Sequence, residues 1–262
     1  LILKIGVCTS VSQAAIVRAA GGEFVEEHIQ NLLLGERPEA DFVPNREKAL
    51  ACGLPVPAAN CFLPAAMKCV GPDVDLAGIL RYADAAFSRA KQIGLGIFVF
   101  GSGGARRVPD GFSKDKAFEQ FVEMLKQLGP LAQKHNVTIV VEPLNSGECN
   151  IINSVPEGAE AVRRCGHPQV WLLADIFHMM RDGQGPEDIE AHGSLLRHVH
   201  VAEKEKRTPP GVAGDDFRPY LRALKKAGYQ GRIAIESSWK DFAGQCAGAI
   251  GELRRQLADA GF

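Results

Sequence analysis

Thr138-Ile139-Val140-Val141-Glu142 is a run of four β-branched residues that stops on an acid. Branched side chains pack well on a pleated surface, so the run reads as a strand with a carboxylate at its C-terminal end. The pattern returns in Val170-Trp171-Leu172-Leu173-Ala174-Asp175, in His198-Val199-His200-Val201-Ala202-Glu203 and in Arg232-Ile233-Ala234-Ile235-Glu236. Longer stretches of helical periodicity separate these runs. Such alternation is the mark of parallel strands joined by crossover helices.

Four more strand candidates precede them: Lys4 to Cys8, Phe24 to His28, Val56 to Phe62 and Gly96 to Phe100. Eight strands predict an α/β fold closed into a (β/α)8 TIM barrel, and 262 residues are close to the roughly 250 that one such domain uses. With no Pro- or Ser-rich linker, residues 1–262 read as a single domain. A doubly wound open sheet is the competitor, but Cys8-Thr9-Ser10 stands where that fold carries its glycine-rich dinucleotide turn. Helix starts are expected at the capping residues Ser10, Asn45, Asp73, Ser113 and Ser154, and near Pro186, Asp215 and Lys240. Gly129-Pro130 is expected to kink or split one of these helices.

With 30 basic and 31 acidic residues, the net charge of −1 offers no field for a polyanion, so nucleic acid is not an expected partner. No apolar run reaches the length of a membrane span, and the N-terminus lacks a charged region followed by an apolar one, so a cytoplasmic protein is expected. Seven cysteines without a CxxC pair argue against a disulfide framework or a zinc ribbon. Cys149 is the one nearest the candidate site residues, and a packing role is expected for it.

Active sites of such barrels lie at the C-terminal strand ends. Glu142, Asp175, His200 and Glu236 end four consecutive strands, hence side by side. Three converging carboxylates repel one another unless a cation neutralises them. The oxygen-rich set suits one divalent ion, Mn2+ or Mg2+ first, with Co2+ and Zn2+ as further options. His198 is the rival of His200; alternation puts both on one strand face, and His200 is nearer the C-terminal end.

These residues resemble the xylose isomerase-like barrel superfamily, and within it the ketose 3-epimerases related to D-tagatose and D-psicose 3-epimerase. Glu142-Pro143-Leu144-Asn145-Ser146-Gly147-Glu148 is similar to that family's Glu-x-Leu-Asn-x-x-Glu, Asp175-Ile176-Phe177-His178 to its Asp-x-x-His, and His198 to Glu203 to its His-x-His-x-Gly-Glu. The resemblance implies that Glu142 and Glu236 are both ligands and catalytic bases, and that Glu148, His178 and Arg207 bind substrate. Lys206 competes with Arg207 for that assignment. The implied partner is a sugar or sugar derivative, and the related epimerases imply a homo-oligomer. The implied reaction passes through an enediolate by proton transfer between the two glutamates. An inosose-type dehydratase shares the first step and stands as an alternative. An AP endonuclease-like repair enzyme, which needs more histidines and a basic face, and a non-catalytic sugar-binding barrel are the others.

Outside these motifs, Gly101-Ser102-Gly103-Gly104 precedes Arg106 and Arg107. A glycine turn with two solvated arginines is the simpler reading; Gly103, Gly104, Arg106 and Arg107 as an anion site for a phosphate or carboxylate is the alternative. Glu26 and Glu27 read as surface carboxylates, or one of them as an acid behind a ligand. His28, His135, His167 and His192 read as surface or packing histidines, Trp171 as core, and Trp239 as a platform for a sugar face.

Overall fold

The computed structural model describes residues 3–262. Its eight strands are β1 (Lys4–Cys8), β2 (Phe24–His28), β3 (Ala58–Asn60), β4 (Ile97–Phe100), β5 (Thr138–Val141), β6 (Val170–Asp175), β7 (Leu196–Val201) and β8 (Arg232–Ile235). They pair in chain order, and β1 pairs in parallel with β8, which closes the barrel. The strand assignments hold with shifted ends. Pro55 and Pro57 supply no amide to a ladder, so β3 contracts to three residues, and β7 begins two residues earlier than expected and ends before Ala202.

Strand alternation sorts the side chains into two sets. Inward-facing Ala58, Ile97, Val99, Val140 and Leu173 fill the barrel below the site, with Trp171 half-buried beside them and the Arg197 guanidinium stacked on its ring at 3.3 Å. Outward-facing residues meet the helices in the main core, where Phe62, Phe87, Phe98, Phe100 and Phe121 pack with ring centroids 4.7–5.6 Å apart. Edge-to-face and offset pairs of this kind add to the burial of their area.

Ser113 and Ser154 cap helices Lys114–His135 and Val155–Cys165, accepting from the backbone N–H of Lys116 and Glu157. Ser10 accepts from Ser12 N–H at the start of a short helical segment. Other starts move. The helix expected from Asn45 begins at Glu39, and Asn45 instead donates from inside it to the carbonyls of Asn31 and Leu32. The caps of the next and the last helix are Asp75 and Asp241 rather than Asp73 and Lys240, and the helix expected from Asp215 runs Arg218–Lys226. Gly129-Pro130 leaves Lys114–His135 unbroken; Gly129 is needed because a Cβ there would overlap the His167 ring. Among the described residues no helix is long and apolar enough to cross a membrane.

Candidate active site

Glu142 follows β5, Asp175 ends β6, His200 lies in β7 and Glu236 follows β8, and each places one ligand-capable atom within 4.8 Å of the others. His200 Nδ1 lies 3.3 Å from Glu142 Oε1 and 3.5 Å from Glu236 Oε2. Two local devices seat Glu142. Gly101 lacks the Cβ that would overlap Glu142 Oε2, and the fully buried Arg106 donates to the Glu142 carbonyl at 2.9 Å and to the Phe100 carbonyl at 3.2 Å. Asp175 divides its oxygens: Oδ1 accepts from Phe177 N–H at 2.8 Å, capping the helix that starts there, while Oδ2 faces the cluster.

Glu142 Oε1, His200 Nδ1 and His178 Nε2 are buried without a hydrogen-bond partner among the described residues. Buried polar atoms are seldom left so, and the Glu142 and His200 atoms, which converge from β5 and β7, call for a common partner. Three carboxylates around an unpartnered imidazole nitrogen fit a divalent cation, which removes their repulsion and accepts their lone pairs. Burial and the adjacent Glu236 raise the Glu142 pKa. Burial acts the same way on Glu236, but Arg207 and His200 outweigh it and hold that carboxyl low. At His200 burial opposes the charge, yet Glu26, Cys8 and Glu236 raise its pKa well above the ordinary value.

Behind His200 stands Glu26, which the sequence left between a surface carboxylate and an acid behind a ligand. Glu26 is 1% exposed. Its Oε1 lies 2.9 Å from His200 Nε2 and its Oε2 2.6 Å from His198 Nε2. Burial would raise the Glu26 pKa, but the two imidazoles overcome it and lower the carboxyl to about 2. An anionic Glu26 accepts from Nε2–H, which leaves the Nδ1 lone pair of His200 pointing into the cluster; a carboxylate behind a ligating imidazole fixes tautomer and orientation in this way. His198 thus lies one layer deeper as the partner of Glu26. Glu27, 7% exposed, accepts from Val11 N–H at 2.7 Å and is no surface acid either.

Arg207 reaches the cluster and Lys206 does not. The Arg207 guanidinium donates to Glu236 Oε2, approaches Asp175 Oδ2 at 3.4 Å and Glu148 Oε1 at 3.6 Å, and covers the Phe177 ring at 4.6 Å; Lys206 is exposed. Both residues have φ of +54°, a left-handed conformation unusual for long side chains. Their loop is gathered by the fully buried Glu203, which accepts from the N–H groups of Gly211, Ala213, Gly214 and Asp215 and from Thr208 Oγ1. His178 Nδ1 accepts from Asn145 N–H at 3.1 Å, so Nε2 carries the proton and faces Asp175 Oδ2 at 3.5 Å. Asn145 also donates to Glu148 Oε1 at 3.0 Å.

The glycine-arginine turn serves the scaffold. Arg106 is committed to two carbonyls inside the protein and Arg107 donates to the Glu148 carbonyl at 2.9 Å. A Cβ at Gly104 would press on Ala65, and one at Gly103 on Leu144 and the Glu148 carbonyl. These are packing requirements, and Arg106 is buried rather than solvated. Sequence reading also overlooked Asn60, whose Nδ2 donates to Glu236 Oε1 at 2.6 Å, and Cys8, whose sulfur lies beside Glu26 and His200. Cys149 is fully buried, in keeping with a packing role.

A model of the xylose isomerase-like TIM barrel family matches residues 14–259. L-ribulose 3-epimerase of Methylomonas sp. (strain DH-1) is 31% identical over 117 residues, 44% of this chain and 41% of that protein. D-psicose 3-epimerase of Ruminiclostridium cellulolyticum is 29% identical over 123 residues, 45% of this chain and 41% of that protein. The chain therefore spans less than half the length of these curated relatives. The crystal structure of D-allulose 3-epimerase from Methylomonas sp. in complex with D-allulose superposes with a TM-score of 0.82 at 20% identity, covering 97% of each chain. That last likeness is one of fold.

Proposed function

The chain belongs to the xylose isomerase-like TIM barrel family, and from that membership we propose that it is a divalent-metal-dependent sugar epimerase or isomerase acting on a ketose. The observation that carries the reading is the meeting of Glu142, Asp175, His200 and Glu236 around buried atoms that no protein group satisfies. These four residues would hold one divalent ion, Mn2+ or Mg2+ by the hardness of the set. When bound, the ion supplies positive charge that stabilises the enediolate oxygens as they develop.

The chain's own residues supply the rest. Glu142 and Glu236 come from β5 and β8 and converge on the same cluster from different strands, the placement two proton-transferring groups need. One glutamate takes the proton from the carbon beside the carbonyl, and the other returns a proton. Return to the opposite face of that carbon inverts it, which is epimerisation; return to the neighbouring carbon is aldose-ketose isomerisation. His178 offers Nε2–H to a substrate oxygen, and Arg207 and Glu148 hold the adjacent hydroxyls, so that the reacting carbon is presented in register with the two carboxyl groups. The epimerase names of the relatives in both comparisons support this reading. Incubation of manganese-loaded protein with a ketose panel in deuterated water tests it. Deuterium is expected at a carbon next to the carbonyl; loss of water from the substrate without that exchange overturns it.

A further inference from the structure

His28 ends β2 two residues beyond Glu26, and alternation gives both the same inward face. Glu26 points into the barrel, since it meets His198 and His200; His28 therefore stands one layer higher, at the mouth. Its register partner on β3 is Asn60, the residue that donates to Glu236 Oε1. The imidazole thus lies beside Glu236, across the barrel from the β5–β7 side that carries Glu148, His178 and Arg207. Its ring is only half-buried, and Nδ1 is enclosed with no hydrogen-bond partner among the described residues. An imidazole can donate at one nitrogen and accept at the other.

A polar ring aimed into the mouth and left unsatisfied by the protein is suited to a polar ligand. In the reading above, the opposite wall holds the reacting end of the substrate through His178, Arg207 and Glu148. We propose that His28 hydrogen-bonds a substrate hydroxyl carried beyond the carbons that exchange protons, and so makes this site select polyhydroxy ketoses longer than three carbons. The inference rests on the epimerase or isomerase reading above and adds to it the length and polarity of the substrate. An imidazole that donates at one nitrogen and accepts at the other matches a hydroxyl, which both gives and receives a hydrogen bond.

His28→Phe keeps a ring of similar size and removes both nitrogens, whereas His28→Gln restores a carboxamide near the outer one. Deuterium exchange by manganese-loaded protein is measured for a panel of ketohexoses and for dihydroxyacetone, which has no hydroxyl beyond its reacting carbons. The ratio of kcat/KM for the preferred ketohexose to that for dihydroxyacetone is expected to fall about tenfold in His28→Phe, the worth of one hydrogen bond. His28→Gln is expected to recover most of that loss. A ratio unchanged in His28→Phe, whether or not both rates decline, overturns the proposal and leaves the epimerase reading intact. A wild-type protein that exchanges no proton on any of these substrates overturns both.

Discussion

Glu26→Gln is the sharpest probe of the architecture, because it alters a residue that would touch neither ion nor substrate. Gln is nearly isosteric, but only one of its two terminal atoms can accept a hydrogen bond. Glu26 receives one contact from each of His198 and His200, at 2.6 and 2.9 Å, so one imidazole must face an N–H group after the change. With both side chains fully buried, breaking such a charge-paired contact costs about 3 kcal/mol. For a protein of this length that corresponds to a fall in Tm on the order of 5–10 °C. His200 also loses the carboxylate that fixes its tautomer, and loss of such support weakens metal binding about 10–100-fold, or roughly 1.5–3 kcal/mol. Calorimetric titration with MnCl2 and a thermal melt on the same sample read both quantities. A folded Glu26→Gln protein that binds manganese within about twofold of wild type refutes the claim that Glu26 orients His200.

Glu142→Gln and Glu236→Gln should each lower deuterium exchange by about 10²–10⁴-fold, as expected for loss of a group that moves a proton, and single-turnover analysis checks this. Arg207→Ala should reduce kcat/KM about 100-fold while Lys206→Ala stays within about twofold, a contrast that steady-state kinetics would reveal. Gly101→Ala should weaken manganese uptake at least about tenfold with little change in Tm, since the added methyl displaces the Glu142 carboxylate and not a core side chain. Metal uptake should compete with protons, because the raised pKa values of Glu142 and His200 favour their protonated forms, which an ion must displace. Affinity is then expected to fall as pH drops, and titration in buffers of different ionisation enthalpy counts the protons released.

The barrel and the four converging groups were legible because both follow from local pattern. An apolar run that ends on Glu142 or Asp175 announces a strand and a polar tip within six residues, and eight such runs imply where the tips meet. Asn60 and His28 were hidden, and Glu26 left between two readings, for the opposite reason. Their importance depends on register between β2, β3, β7 and β8, which no stretch of the chain displays. Glu26-Glu27 looks like a surface pair until Phe24 is set inside the barrel and every second residue counted from it. Arg106 was hard to place in another way: after glycines a guanidinium reads as solvated or as an anion ligand, but it is fully buried, and two of its nitrogens donate to the carbonyls of Phe100 and Glu142. Two helix starts moved because a neighbouring Asp, Asp75 or Asp241, takes the cap, whereas the helix at Glu39 starts after Pro38 with no side-chain cap to announce it.

Glu203 determines when the cost of aiming Arg207 is met. Two successive long-chain residues in the left-handed region are disfavoured by about 1–3 kcal/mol each. A single buried carboxylate drawing in four amides and a hydroxyl offsets this with charge-assisted bonds worth about 1.5–3 kcal/mol apiece. The arm bearing the guanidinium is therefore rigid from the moment the chain folds, and an arriving sugar spends none of its affinity on freezing it. Association at this mouth should be a one-step encounter limited by diffusion and desolvation, without the slow second phase of a flap that must shut.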